Sequence, residues 1–318
     1  MKKTRVLVTG ASGFVGSALV AKLLASEAFL PVCALRNLGS FPCEQVLFDL
    51  ESGPLIGTLQ GVDTIVHTAA RVHVMGAAGS NQLDVFRQTN VEGTLKLARC
   101  AVQAGVRRFI FISSVKVNGE RTSPGKPFTP FDQPAPVDAY GISKSEAEVA
   151  LSALSADSGL EVVIIRPPLV YGPGVKANFQ TMLDWVHSRI PLPFGSIKNQ
   201  RSLVALDNLL DLIVHCVDHP AAPGKVFLVS DGEDLSTTQL LKRVSRSMGM
   251  RSVLVPVPQY LLVMCLNFLG RRALATRLCG SLQVDISQTR ELLGWAPPIS
   301  CQQALDDVAK YFLETKKK

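Results

Sequence analysis

A chain of 318 residues with 47% hydrophobic and 19% charged side chains can bury an ample core, in one large or two modest domains, so a globular fold is expected. A formal charge of +7 suits nucleic acid, an anionic membrane or a phosphorylated small molecule. No run of five or more basic residues favours the first of these, and the three lysines at 316–318 read as a solvated tail.

The N-terminus runs almost directly into a strand-like Val6-Leu7-Val8 and lacks the apolar segment and cleavage site of a signal peptide, so the cytoplasm is the expected compartment. The seven cysteines form no CxxC pair and mostly sit among apolar residues, as buried free thiols do. Short runs rich in branched residues follow at 6–8, 32–35, 46–48, 64–67, 109–112 and 162–165, as strands buried on both faces would. Helical patterns lie between them, at 16–25 and 91–104. This βαβ alternation predicts an α/β fold with a doubly wound parallel sheet over residues 1–166. After Arg166, prolines at 167, 168, 173, 191 and 193 break the rhythm, which predicts a smaller mixed α/β substrate region over 167–318. The chain is expected to return to the first domain around 202–219.

Val8-Thr9-Gly10-Ala11-Ser12-Gly13-Phe14-Val15-Gly16 joins the first strand to a helix. A glycine-rich turn in that context lets the backbone approach a pyrophosphate, which then rests on free amides at the positive end of the helix. The spacing is GxxGxxG, and further motifs follow in order: Asp49-Leu50 after the third strand, His67-Thr68-Ala69-Ala70 after the fourth, Asn90-Val91-Glu92-Gly93-Thr94, and Tyr140-Gly141-Ile142-Ser143-Lys144. Together they resemble the extended short-chain dehydrogenases/reductases, the family of NAD-dependent epimerases and dehydratases, along nearly the whole chain.

The resemblance implies a Rossmann-type first domain and a bound NAD(P). In such proteins Gly10, Ser12, Gly13, Phe14, Val15 and Gly16 would cradle the pyrophosphate and Asp49 would hold the adenine. Leu50, Ala69, Ala70, Asn90 and Pro167 would line the dinucleotide. The second strand ends in Arg36-Asn37 where similar UDP-galactose 4-epimerases carry an acidic residue before the Asn. A carboxylate there binds the ribose hydroxyl of NAD, whereas an arginine accommodates the extra phosphate of NADP. Arg36 therefore favours NADP(H), with NAD(H) as the alternative if Arg36 only stacks on adenine or faces solvent.

Hydride transfer at an alcohol carbon needs a group that moves the hydroxyl proton, and a free phenol with a pKa of about 10 is poorly suited to this at neutral pH. Tyr140 and Lys144 share a helix face, so the ammonium can lower the phenol's pKa and hold the nicotinamide ribose. The segment Phe111-Ile112-Ser113-Ser114-Val115-Lys116-Val117-Asn118-Gly119 resembles the family's catalytic serine loop and places that serine at Ser114, with Ser113 as the other candidate. Nucleotide-sugar 4,6-dehydratases carry an Asp-Glu pair directly after this residue. Val115 and Lys116 stand there instead, which disfavours dehydration. Lys116 is a candidate contact to substrate phosphate or hydroxyls, or it points outward.

On the substrate side, Asn178 resembles a diphosphate contact, Phe194 the ring on which a base packs, and Arg201 a bidentate phosphate donor. The alternatives are a core phenylalanine and a surface arginine. These features imply a nucleoside-diphosphate sugar as partner, no nucleic acid, and a homodimer such as family members commonly form. Residues 252–270 carry no charge between Arg251 and Arg271-Arg272, but Pro256 and Pro258 interrupt them. The unbroken apolar part at 260–266 is far short of the roughly 20 residues that span a bilayer. A packed or interfacial helix is expected, with peripheral membrane contact open. The histidines at 67, 73, 187, 215 and 219 have no metal-ligand spacing, so no metal is expected.

Two reactions share these residues: reduction of a 4-keto nucleotide sugar and epimerisation of a nucleotide sugar at C4. Arg36 and the altered 115–118 segment favour the reductase. Ala69-Ala70-Arg71-Val72-His73-Val74-Met75 and the serine loop also resemble bacterial reductases of UDP-4-keto-6-deoxy-N-acetylhexosamines that serve O-antigen synthesis. A non-catalytic NAD(P)-sensing protein is the alternative of another class, and the intact Ser114, Tyr140 and Lys144 speak against it.

Overall fold

Branched apolar runs separated by helical periods produce a parallel sheet here because each crossover helix can cover one face of it. The chain forms β1 (Thr4–Thr9), α1 (Phe14–Leu24), β2 (Phe29–Leu35), β3 (Glu44–Leu47), β4 (Thr64–His67), α2 (Ser80–Arg87), α3 (Thr94–Gln103), β5 (Arg108–Ile112), α4 (Ala139–Ser158) and β6 (Glu161–Arg166). It continues through β7 (Leu169–Tyr171), α5 (Ala177–His187), β8 (Arg201–Ala205), α6 (Leu206–Asp218), β9 (Val226–Leu228), β10 (Asp234–Leu235), α7 (Thr237–Ser247), α8 (Gln259–Phe268), α9 (Arg272–Cys279), α10 (Ser287–Leu293) and α11 (Cys301–Lys316). This computed structural model describes residues 3–51, 56–72 and 80–316. His73, Val74, Met75, Lys317 and Lys318, singled out above, lie outside them.

Seven strands pair in parallel in the order β3-β2-β1-β4-β5-β6-β9. The order reverses direction beside β1, which places the switch point between β1 and β4. Leu19 and Leu23 of α1 and Leu209, Leu212 and Ile213 of α6 cover one face, against Val8, Ile110 and Val163. Leu97 and Ala101 of α3 with Ala147 and Leu151 of α4 cover the other, against Leu7, Phe109 and Ile164. Arg108, fully buried on β5, donates to the carbonyls of Cys216 and Val217 at 2.6 and 2.9 Å and so ties the end of α6 to the sheet. One expected strand differs. Residues 46–48 fall at an edge that, among the described residues, pairs with β2 alone, and Leu47 is 60% exposed rather than buried on both faces.

Beyond β6 the chain builds a second layer around a small sheet, β10-β8-β7. Its core joins Phe179 and Leu183 of α5, Leu241 and Val244 of α7, and Leu305, Val308 and Phe312 of α11. Among the described residues no helix is long and apolar enough to cross a membrane.

Candidate active site

The glycine turn is built by backbone contact. Gly10 adopts φ +67°, and a Cβ there would lie 2.8 Å from the Ala69 amide nitrogen, so the turn after β1 abuts the turn after β4. A Cβ at Gly16 would lie 2.1 Å from the Gly10 carbonyl oxygen, which forces α1 to start directly on the loop. Gly13 is the N-cap of α1, no side chain caps that helix, and its first turn holds no acidic residue. Those amides and the helix dipole therefore suit an anion. Ser12 is exposed beside them, with Phe14 and Val15 partly covered.

Other residues of the cradle lock neighbouring loops. His67, fully buried on β4, lies 2.7 Å from Thr9 Oγ1 and 3.0 Å from Thr94 Oγ1. Burial first, and the neighbouring Lys144 second, push its pKa down to about 3, so its imidazole is neutral. Thr9 Oγ1 also accepts from the Ala69 amide at 3.3 Å, and partly covered Ala70 follows. Asn90 sits in a π-helical turn, Gln88–Gly93. Its Oδ1 accepts from the Arg71 amide at 2.8 Å, and its Nδ2 donates to Ser143 Oγ at 3.1 Å. Ser143 Oγ donates in turn to the Tyr140 carbonyl, so Asn90 fastens the turn after β4 to the first turn of α4. Gly93 permits a contact in which a Cβ would fall 2.5 Å from the Leu50 carbonyl. Asp49 closes its own turn by accepting from the Glu51 amide at 2.7 Å. Arg36 and Asn37 follow β2, both exposed.

The catalytic candidates come from β5, β6 and α4. Two main-chain bonds past the strand ends, Ser113 amide to Ile165 carbonyl at 2.8 Å and Val115 amide to Pro167 carbonyl at 3.0 Å, extend the sheet register into the serine loop. Ser114 caps a short 3-10 turn, Val115–Val117, accepting from the Lys116 amide at 3.2 Å, and it stays partly exposed. Ser113 turns the other way, buried, and donates to Glu148. Asp138 caps α4 through the Gly141 amide at 2.7 Å and so fixes the turn that carries Tyr140.

Lys144 is buried, donates to the Ile112 carbonyl at 2.8 Å and lies 4.3 Å from the centre of the Phe111 ring. Desolvation pulls its pKa down to about 7 against a smaller opposing pull from Glu148. In the protein without ligand, Tyr140 is pushed the other way from the sequence expectation. Burial, then the Asp138 carboxylate, raise its phenol above the ordinary value. Lys144 is therefore the group of the two that releases its proton near neutral pH, while the Tyr140 phenol stays protonated there.

Three supporting residues were not singled out from sequence. Glu148 stands one turn beyond Lys144, in the same register that joins Tyr140 to Lys144, and pairs with buried Arg166 at 2.5 Å. Arg166 also donates to Asn118 Oδ1 at 3.0 Å. Asp138 pairs with Lys116, and Glu120 lies 3.4 Å from the same ammonium. The Lys116 side chain thus bridges the serine turn to the cap of the tyrosine helix.

On the second layer, Arg201 donates to the Gly280 carbonyl at 3.0 Å. Burial first, and the positive charge of Arg277 second, lower its pKa, and the sequence reading had passed over Arg277. Asn178 is exposed on the first turn of α5. The Phe194 ring is buried in the second core, 6.0 Å from Trp185, which is the core role weighed above as the alternative.

The model of the NAD dependent epimerase/dehydratase family matches residues 6–230. A UDP-glucose 4-epimerase from Vibrio cholerae is 46% identical over 97% of this chain and 95% of its own length. The fold is shared with a UDP-glucuronic acid 4-epimerase from Bacillus cereus in complex with NAD, at a TM-score of 0.79 and 21% identity over 98% of this chain and 99% of that one. It is shared also with a UDP-glucose 4-epimerase from Thermotoga maritima with UDP-glucose, at 0.77 and 22% over 98% of this chain and 100% of that one. An anion-ready glycine cradle, a buried lysine beneath a helix-borne tyrosine, and a family match over most of the chain converge on one assignment: the chain is an enzyme of the NAD dependent epimerase/dehydratase family.

Proposed function

We propose that this enzyme uses NAD to invert the 4-hydroxyl of a UDP-sugar. The observation that carries the reading is the 46% identity, along almost the whole chain, to a UDP-glucose 4-epimerase. It reverses the preference for a reductase drawn above from Arg36 and the 115–118 segment. The cradle fits a dinucleotide, because the spaces where Cβ atoms of residues 10 and 16 would collide are closed by backbone, and the first amides of α1 are left to an anion.

NAD, when bound, supplies the hydride acceptor and returns the hydride. Tyr140 takes the proton of the 4-hydroxyl and gives it back after the sugar has turned over. Lys144 keeps the pair poised near neutral pH and reaches the nicotinamide ribose. Ser114 holds the reacting oxygen, and Arg201 with Arg277 receives the diphosphate, whose charge relieves their mutual repulsion.

The test is to denature the purified protein and identify any nucleotide it releases, then to follow UDP-glucose, UDP-galactose and their N-acetyl forms by NMR. Interconversion without net consumption of NADH or NADPH is the expected result. Stoichiometric oxidation of NADPH by a 4-keto-6-deoxy sugar nucleotide, with no epimerisation, would replace this reading with the reductase. Exposed Arg36 favours that second reading, since it is free to meet the extra phosphate of NADP(H). Dinucleotide binding with no turnover of either kind would leave the sensing protein.

A further inference from the structure

We infer that α8 is the docking face of the enzyme for an anionic lipid surface. This is independent of the reaction catalysed. Leu262 and Val263 turn inward against the second core, and Gln259 pins the start of the helix through the Cys279 carbonyl at 3.0 Å. The outer face is left uncovered. Tyr260, Met264 and Phe268, at steps of four, are 71%, 59% and 92% exposed, and Leu269 beside them is also exposed. No residue of α8 is buried. Single exposed apolar side chains are ordinary, but a contiguous row of this kind marks a contact surface.

Charge decides what the surface meets. Residues 235–284 contain seven of the 33 lysines and arginines and no aspartate or glutamate, so the other 26 cations balance the 26 acids and the whole formal charge of +7 belongs to this stretch. Arg251 precedes the helix, and Arg271 and Arg272 follow it, all three exposed. The helix ends at Phe268 and the chain turns at Gly270, φ +71°, so Arg271 and Arg272 stand directly past the exposed row. An uncharged apolar row closed at its ends by arginines suits a bilayer interface, where rings and methionine enter the acyl boundary and guanidinium groups stay with the phosphates. A second copy of the chain would bring the same arginines together, which opposes that occupant.

The full chain is sedimented with vesicles of mixed phosphatidylcholine and phosphatidylglycerol, and with vesicles of phosphatidylcholine alone. Binding to the mixed vesicles, reversed by salt, is expected. The double variant Met264→Asp/Phe268→Asp should lose about tenfold or more of its partitioning. Arg271→Gln/Arg272→Gln should lose a comparable factor of about tenfold at low salt. Both variants should keep the melting temperature and dinucleotide affinity of the parent, because the altered side chains are exposed. Failure of the parent to bind, or binding that the aspartates leave intact, overturns the proposal. So does a change in oligomeric state of the aspartate variant by light scattering, which would give the face to a second copy.

Discussion

The two halves of the site are built by opposite means. Around Gly10, Gly16 and Gly93 the geometry comes from the absence of side chains, with backbone meeting backbone at distances no Cβ could share. Around Tyr140 and Lys144 it comes from charged side chains held in pairs, Glu148 by Arg166 in the interior and Lys116 by Asp138 nearer the surface. A cradle of backbone binds any ligand that fits its shape and has no protonation state to regulate. A framework of buried charges sets the pKa of the residue at its centre, and it depends on every partner being present.

The largest expected effect tests the second half. Tyr140→Phe should lower turnover by about 10³-fold or more while dinucleotide affinity and melting temperature stay near those of the parent. Among the described residues the phenol oxygen has no hydrogen-bond partner to lose. A variant that folds and retains a tenth of its activity would remove Tyr140 from the chemistry.

Next, Glu148→Gln leaves Arg166 buried beside a neutral partner and should cost about 3–5 kcal/mol in denaturant unfolding. It should also move the Lys144 titration to lower pH, since Glu148 holds that pKa up. Against this, Gly16→Ala should cost about 1–3 kcal/mol from the clash alone and weaken dinucleotide binding in calorimetry. Gly13→Ala, whose nearest neighbour would be 3.1 Å away, should do much less. If the two alanines behave alike, the first half is not governed by backbone contact.

A pH series sharpens the contrast further. Lys144 titrates near 7 in the fold and near 10.5 when unfolded, so the folded protein binds fewer protons between those values and stability should rise with pH across that window. Lys144→Met should flatten the rise, seen in melting temperature against pH. His67, titrating near 3 instead of 6.5, adds a second rise between those values, which appears as destabilisation when the pH falls below 6.5. The smallest effect belongs to Lys116→Met. It should lower kcat by a few fold at unchanged KM if the lysine only joins the two turns. A rise in KM instead would restore the substrate contact expected from sequence.

The same contrast explains what the sequence disclosed. Glycines at 10, 13 and 16 after a branched run signal their own use, because few other residues tolerate φ +67° or an approach of 2.1 Å. Strands β1, β2, β4, β5 and β6 were legible for a similar reason, each containing a branched apolar run, whereas β3 is an exposed edge and β9 was not read from the sequence. The support of the catalytic half was not. Ser113 and Ser114 are adjacent and alike, and only the register of β5 against β6 turns one to Glu148 and leaves the other partly exposed. The sequence alone leaves Lys116 between a substrate contact and an outward side chain, because nothing local shows that Asp138, 22 positions on, will pair with it. Arg201 feels the charge of Arg277, 76 positions on, only after the second layer has folded.

The bonds from Ser113 and Val115 to the carbonyls of Ile165 and Pro167 have a mechanical consequence. The serine turn hangs on two rungs of the sheet ladder, so Ser114 has no hinge of its own. Tyr140 hangs from the same sheet through Lys144 and the Ile112 carbonyl. The reacting groups therefore share one rigid mount, and any shift of the sheet would carry both together.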